Sequence, residues 1–302
     1  MDSGHTAWLL TASALVFFMT PGLAFFYGGM VRAKNLVNTI MLSFMSIAIV
    51  SIVWILWGYS LAFGPGNAYI GDLSLLGLHG VPFTSGEGDD VPALAFVAFQ
   101  MMFAIITPAL ITGAFAERFK FKTYLIFLVL WSTLVYSPIT HWVWADNGWL
   151  LELGALDFAG GTVIHINAGI AAVAAALIVG KRRNPGLQPN NVPYVVLGAA
   201  ILWFGWFGFN AGSALAANDS AANAFIVTNV AAATAALTWG LVSQLRTGKM
   251  GAVGVATGAV AGLVAITPAA GAVGPVGSIA IGFGAGIICF FAVELIHKTG
   301  FI

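Results

Sequence analysis

The sequence predicts an all-α protein that crosses a lipid bilayer about nine times. Of its 302 residues, 60% are hydrophobic and 7% are charged, whereas a soluble domain carries about 25% charged residues. The apolar residues fall into runs that are long enough to cross the hydrocarbon core, which takes about 20 residues of helix. Too little charge remains to coat a surface in water, so the lipid bilayer is the expected surrounding of this polytopic chain.

The apolar runs define nine predicted spans, which we number one to nine in chain order. They cover residues 7–31, 37–63, 92–116, 121–143, 158–180, 193–216, 221–245, 250–268 and 276–297. Each span is predicted as a helix, because a chain in hydrocarbon must satisfy its backbone polar groups within the segment itself. Glycines at four-residue spacing, clearest at positions 254, 258 and 262, predict close packing between these helices.

The charges between the spans alternate from one loop to the next. Every Lys and Arg follows an odd-numbered span: Arg32, Lys34, Arg118, Lys120, Lys122, Lys181, Arg182, Arg183, Arg246, Lys249 and Lys298. The other loops carry acidic residues: Asp2, Asp72, Glu87, Asp89, Asp90, Asp146, Glu152 and Asp219. By the positive-inside rule, this pattern predicts a multi-pass cell-membrane protein with an external N-terminus and a cytoplasmic C-terminus. The longest external loop, 64–91, is interpreted as a solvated cap.

A short internal match indicates an inverted repeat. The sequence Ile-Thr-Pro-Ala occurs at residues 106–109 in span three and again at residues 266–269 in span eight. These spans are five helices apart, so they cross the membrane in opposite directions, as an inverted repeat of five helices requires. With nine spans, the second repeat would be one helix short.

The strongest functional signal lies at residues 157–183. This stretch opens with Asp157 and two glycines, and it runs apolar except for His165 and Asn167 before it ends in a basic cluster. On a continuous helix, Asp157 and His165 would lie two turns and about 12 Å apart along the axis, near one face. Ionisable residues inside a membrane helix are costly, so both are candidates for function.

Both residues also have a purely structural interpretation. Asp157 can cap the free N–H groups of a helix, or it can stabilise a cation at the outer mouth, and these roles can coexist. His165 can be a satisfied polar core residue, or it can relay a small polar solute, since neutral imidazole both accepts and donates hydrogen bonds. The sequence contains no soluble-enzyme motif and no His pair at metal-ligand spacing. Neither an enzyme activity nor a metal or other cofactor is therefore expected.

Three segments resemble the Amt/Mep/Rh ammonium transporter family, of the Amt type. They are residues 21–29 (Pro-Gly-Leu-Ala-x-Phe-Tyr-Gly-Gly), residues 141–165 with the signature Asp-Phe-Ala-Gly-Gly-Thr-Val-x-His at their end, and residues 206–213 (Trp-Phe-Gly-Phe-Asn-Ala-Gly-Ser). Their order, spacing and topology carry a resemblance over nearly the whole chain. It implies a single transmembrane ammonium transporter domain over residues 1–302, with the family's inverted five-helix repeat.

The resemblance also implies a mechanism and the residues that perform it. Family members are homotrimers in which each subunit has its own narrow hydrophobic pore for ammonium or ammonia. Ammonium would bind at an external aromatic site, lose a proton and cross as ammonia, which excludes potassium. The implied residues are Phe103, Trp144 and Ser213 in the outer recruitment site, Asp157 in support of that site, Phe103 and Phe209 as a stacked gate, and His165 as the first of two pore histidines.

The sequence departs from the family pattern at its C-terminal end. Members have eleven spans, with the second pore histidine on the tenth, so the chain is expected to lack the last two helices and the histidine. The alternatives are an ammonium-sensing receptor domain of the same fold, an inactive fragment and, more weakly, a membrane enzyme. A cytoplasmic regulator would act through a tail that is absent here, and no nucleic-acid partner is expected.

Overall fold

A computed structural model describes residues 1–84, 90–182 and 188–299 of the chain. Within these ranges, nine helices are long and apolar enough to cross a membrane, as the sequence predicts. We label them α1 (Ser3–Met30), α2 (Ala33–Phe63), α3 (Ala93–Phe115), α4 (Phe121–Glu152), α5 (Gly161–Val179), α6 (Val192–Ala211), α7 (Asp219–Thr247), α8 (Ala252–Ala269) and α9 (Pro275–Lys298). The predicted all-α membrane fold is confirmed.

Small residues set the helix packing. Helix α1 packs against α2, α3 and α6, and α7 packs against α8 and α9. A Cβ atom on Gly198 of α6 would lie 2.3 Å from the backbone nitrogen of Phe26 in α1. A Cβ atom on Gly262 of α8 would lie 2.5 Å from the carbonyl oxygen of Ala231 in α7. Side chains at these glycines would therefore force the helices apart.

The two Ile-Thr-Pro-Ala segments have matching local contacts. Thr107 Oγ1 donates a hydrogen bond to the carbonyl oxygen of Phe103 at 2.6 Å, and Thr267 Oγ1 donates to that of Leu263 at 2.7 Å. In both cases the threonine hydroxyl donates to the carbonyl oxygen four residues earlier. Each threonine is followed by a proline, which has no backbone N–H to donate. Thr140 and Thr228 make the same kind of bond, so the relationship between α3 and α8 stays a prediction.

Glu117 joins three helices at the basic end of the bundle. Its side chain is 4% exposed, and it accepts hydrogen bonds from the Arg32 backbone N–H at 2.9 Å, Asn35 Nδ2 at 2.8 Å and Arg182 Nη1 at 2.9 Å. Burial raises the pKa of Glu117, but these hydrogen bonds and the charges of Arg182 and Arg32 outweigh it and hold the pKa below its ordinary value. Three other charged residues of the predicted pattern, Glu87, Asp89 and Arg183, lie outside the described residues.

One side of α5 borders an open apolar groove. The groove has a volume of about 650 Å³ and runs between α5 and the aromatic face of α4 that includes Phe127 and Trp131. Thr162, Ile166 and Asn167, which flank His165 in the sequence, line the α5 side. The wall of α5 next to His165 is thus uncovered in a single copy of the chain.

Candidate functional site

The chain turns sharply just before α5. Gly160 has φ of 101°, in the left-handed region that favours glycine, and the helix starts at Gly161 with a π-helical segment that extends to Ile166. Asp157 therefore precedes the helix instead of lying on it. The predicted two-turn spacing between Asp157 and His165 on one continuous helix is wrong, because Gly160 reverses the chain between them.

Asp157 caps the start of α5 from outside the helix. Its Oδ1 accepts from the Gly160 N–H at 2.8 Å, and its Oδ2 accepts from the N–H groups of Thr162 at 2.9 Å and Val163 at 3.0 Å. Burial raises the pKa of this carboxyl above its ordinary value, and the N–H donors offset only part of that effect. The carboxyl group therefore fixes the irregular start of the helix that carries His165.

An outer cavity of about 180 Å³ brings the predicted recruitment residues together. Phe103, Trp144, Asp157 and Ser213 all line it. The rings of Phe103 and Trp144 meet edge to face, with centroids 6.0 Å apart, and Trp144 Nε1 donates to the carbonyl oxygen of Asp157 at 3.0 Å. Ser213 Oγ donates to the carbonyl oxygen of Phe209 at 2.9 Å, which leaves its lone pairs free to accept from a solute.

Phe103 and Phe209 form a pair between two cavities. Their centroids are 4.5 Å apart with an interplanar angle of 66°, and both side chains are buried. The implied stacking is therefore wrong in its geometry, because the rings pack edge to face, an arrangement that the aromatic quadrupole favours. Phe103 lines the outer cavity, and Phe209 lines the next cavity inward.

The inner cavity is mostly apolar, and the polar groups of its lining include His165 and the hydroxyl of Tyr27, which is engaged by a backbone carbonyl. It has a volume of about 140 Å³ and includes Phe209, Trp206 and Leu202 among its lining residues. The His165 ring lies nearly parallel to the rings of Trp206, at 5.3 Å, and Phe209, at 5.7 Å. Its Nε2 atom is buried and has no hydrogen-bond partner within the described ranges. A small polar solute in this cavity can therefore bind to that nitrogen.

The sequence analysis did not assign Trp206 to the site, although its ring stacks on His165. Trp206 Nε1 donates to Thr267 Oγ1 at 2.9 Å, which fixes the indole ring that covers His165. Trp206 and Phe209 are three residues apart, a helical spacing that places both on one face and could have indicated their common role. Phe209 itself lies in a π-helical segment, Phe207–Ala211, a distortion that often occurs at functional sites.

His141 has a structural role outside both cavities. It is buried, and its Nδ1 and Nε2 atoms lie 2.9 Å and 2.6 Å from the carbonyl oxygens of Ala62 and Asn67. These contacts tie α4 to the end of α2 and to the following loop. His141 therefore serves the packing of the fold and lines neither cavity.

A family model described as Ammonium Transporter Family matches residues 7–301. The chain belongs to the ammonium transporter family. The resemblance drawn from the three sequence segments is thereby confirmed. The match extends over all nine helices of the described residues.

Individual members of the family are similar over nearly the whole chain. An ammonium transporter of Bacillus subtilis is 52% identical over 300 residues, which cover 99% of this chain and 74% of that protein. The crystal structure of Mep2 from Candida albicans has a TM-score of 0.91 at 41% identity, over 99% of this chain and 68% of that one. A structure titled Sensor Amt Protein has a TM-score of 0.92 at 33% identity, over 98% of this chain and 76% of that one.

Proposed function

We propose that this ammonium transporter family member carries ammonium across the cell membrane as a subunit of a homotrimer, by binding the cation outside and passing neutral ammonia. The observation that carries the proposal is the order of the two cavities. The outer cavity is aromatic and has polar acceptors, and the inner cavity is mostly apolar with one histidine. The Phe103–Phe209 pair closes the path between them.

The outer cavity suits a small cation. Trp144 and Phe103 present aromatic rings, and a ring face attracts a cation by about 0.5–2 kcal/mol. Ser213 adds a hydroxyl lone pair as a hydrogen-bond acceptor. Asp157 supports the site indirectly, because its carbonyl oxygen fixes Trp144 and its carboxyl group fixes the start of α5. Ammonium can thus exchange part of its water shell for protein contacts.

The inner cavity favours ammonia over ammonium. A bare cation would lose its hydration there without an ion pair in return, which costs many kcal/mol. Neutral ammonia costs far less and can bind to the free Nε2 of His165. Ammonium must therefore transfer a proton to water at the outer mouth before it passes Phe103 and Phe209 as ammonia. Potassium has no proton to lose, so the same arrangement excludes it.

Replacing Trp144 by leucine tests the recruitment step. The half-saturation concentration for ammonium uptake should rise about twofold to thirtyfold, because a cation–π contact of about 0.5–2 kcal/mol is lost. Uptake is measured in cells that lack other ammonium transporters and express the protein from its natural gene. Trp142→Leu is the matched control, because Trp142 bonds to Tyr69 and does not line the outer cavity. An unchanged half-saturation concentration in Trp144→Leu would show that the outer cavity does not bind ammonium during transport.

The charge pattern supports an orientation with the N-terminus outside. The basic residues lie at or just after the C-terminal ends of α1, α3, α5, α7 and α9, and this bias places those ends in the cytoplasm. A reporter fused after residue 183 should therefore read as cytoplasmic, and one inserted in loop 64–91 should read as external. The opposite reading at either position would refute the orientation.

An ammonium sensor is the second candidate function. It is favoured by the likeness to the structure titled Sensor Amt Protein, whose TM-score is 0.92. Identity to that protein is 33%, against 52% for the Bacillus subtilis ammonium transporter. The transport proposal is therefore preferred. Ammonium binding without any uptake by the protein expressed from its natural gene would favour the sensor.

A further inference from the structure

Thr267 engages the indole N–H of Trp206 next to the inner cavity. Its Oγ1 accepts a hydrogen bond from Trp206 Nε1 at 2.9 Å and donates its own proton to the carbonyl oxygen of Leu263 at 2.7 Å. Because the hydroxyl proton goes to Leu263, an oxygen lone pair is left for the indole. Both Thr267 and Trp206 are buried, so water does not replace this bond.

A second acceptor lies close to the same indole ring. The rings of Trp206 and His165 are nearly parallel, with centroids 5.3 Å apart, and His165 Nε2 is buried without a hydrogen-bond partner in the part of the chain that the structure describes. The unprotonated nitrogen of a neutral imidazole accepts hydrogen bonds. A buried N–H without an acceptor costs free energy. An indole that lost Thr267 would therefore gain by turning its N–H toward His165.

The contacts of α8 with the start of α5 fix the position of Thr267. The residue after it, Pro268, accepts a hydrogen bond on its carbonyl oxygen from the Phe158 N–H at 3.2 Å. A Cβ atom on Gly161 would overlap the Pro268 ring, so the first residue of α5 packs directly on this proline. The same contacts therefore set Thr267 relative to the helix that carries the pore histidine.

We propose that Thr267 is a positioning residue of the pore, which keeps the Trp206 N–H away from His165 Nε2 and so leaves that nitrogen free for ammonia. This inference rests on the proposed function of the inner cavity. Thr267 is not among the residues that line that cavity, so it acts through the indole ring and not by contact with the solute.

The test is Thr267→Val, which keeps the β-branched shape of the side chain and removes the acceptor. The maximal rate of ammonium uptake should fall about twofold to twelvefold, the effect of one net hydrogen bond. The half-saturation concentration should stay unchanged, because the outer cavity is intact. Thr267→Ser keeps the hydroxyl group and should retain the wild-type rate. Uptake is measured in cells that lack other ammonium transporters and express the protein from its natural gene.

Trp206→Phe shows whether Thr267 acts through the indole N–H. Phenylalanine keeps an aromatic ring beside His165 but has no N–H to turn toward it. In the Trp206→Phe background, Thr267→Val should therefore lower the maximal rate no further, and a further loss by the same factor would overturn the proposal. If Trp206→Phe carries too little ammonium for this comparison, the thermal unfolding temperatures of the four purified proteins replace it. Thr267→Val should then lower that temperature much less in Trp206→Phe than in the wild type, and an equal lowering would overturn the proposal.

The matched control is Thr257→Val on the same helix. Thr257 Oγ1 also donates to the carbonyl oxygen four residues earlier, that of Val253, at 2.8 Å, and Thr257 does not line the inner cavity. Its replacement should leave the maximal rate unchanged. If Thr267→Val does not accumulate in the membrane, Thr267→Cys, whose sulfur is a weaker acceptor, should lower the maximal rate in the same direction.

His165→Ala, measured in parallel, separates the two levels of the proposal. An unchanged rate in Thr267→Val, or in Thr267→Cys where that variant replaces it, overturns the role of Thr267, while impaired transport in His165→Ala keeps the inner cavity. Wild-type flux and selectivity in His165→Ala overturn both. An equal loss in Thr267→Val and Thr267→Ser would indicate a packing role and would also overturn the proposal.

Discussion

Replacing His165 by alanine is expected to abolish ammonium uptake, or to remove its selectivity over potassium, while the protein still assembles. His165 supplies a buried nitrogen without a partner to a mostly apolar cavity. Without it, ammonia loses its hydrogen-bond partner in the cavity, and the smaller side chain leaves room for water and hydrated ions. One hydrogen bond is worth about 0.5–1.5 kcal/mol, so its loss alone lowers flux about twofold to twelvefold, and the entry of water and hydrated ions adds to that loss of function. Uptake of ammonium and of potassium is measured on the same cells.

His297→Ala is the control for this variant. His297 is exposed near the end of α9 and faces neither cavity, so its removal should change neither flux nor selectivity. The assembled state of His165→Ala is checked by size-exclusion chromatography of the purified protein. Wild-type flux and wild-type selectivity in His165→Ala would mean that His165 only fills space.

Asp157→Ala is expected to act on folding, with a severalfold lower yield of folded protein. The substitution removes the acceptor for three buried N–H groups at the start of α5. The loss of a cap and of buried hydrogen bonds costs about 2–4 kcal/mol. The measurement is the amount of monodisperse protein recovered from membranes in mild detergent, together with its thermal unfolding temperature.

Two variants control the Asp157 experiment. Asp157→Asn keeps one side-chain oxygen as an acceptor and should fall between the wild type and Asp157→Ala. Asp146→Ala removes an exposed carboxyl group from the turn at residues 145–148 near the end of α4 and should leave the yield unchanged. A normal yield of Asp157→Ala combined with lost ammonium binding would reverse the assignment and place Asp157 in direct contact with the cation.

The sequence was sufficient to predict the helices and the composition of the site. Nine spans follow from length and hydropathy, since backbone in hydrocarbon must be helical. The glycine pattern in α8 predicted close packing, which Gly262 makes against Ala231. Phe103, Trp144, Asp157 and Ser213 were named from the family resemblance, and the structure places them around one cavity.

The sequence did not predict how these side chains are oriented. The turn at Gly160 separates Asp157 from the helix that carries His165, and residue spacing on an assumed continuous helix cannot reveal such a break. The π-helical segments in α5 and α6 add a residue to a turn and rotate all that follows. The ring of Trp206 over His165 depends on this tertiary geometry, so composition alone could not indicate it.

The most direct test of the two-cavity mechanism is a single comparison of ammonium uptake in the wild type, Trp144→Leu and His165→Ala. Uptake is measured across a range of ammonium concentrations, with and without an excess of potassium. If recruitment and deprotonation are separate steps, Trp144→Leu raises the half-saturation concentration and still excludes potassium. His165→Ala then loses flux or potassium exclusion, and any remaining uptake keeps its half-saturation concentration. The mechanism is contradicted if the two substitutions alter the same parameter, or if the wild type carries potassium across the membrane.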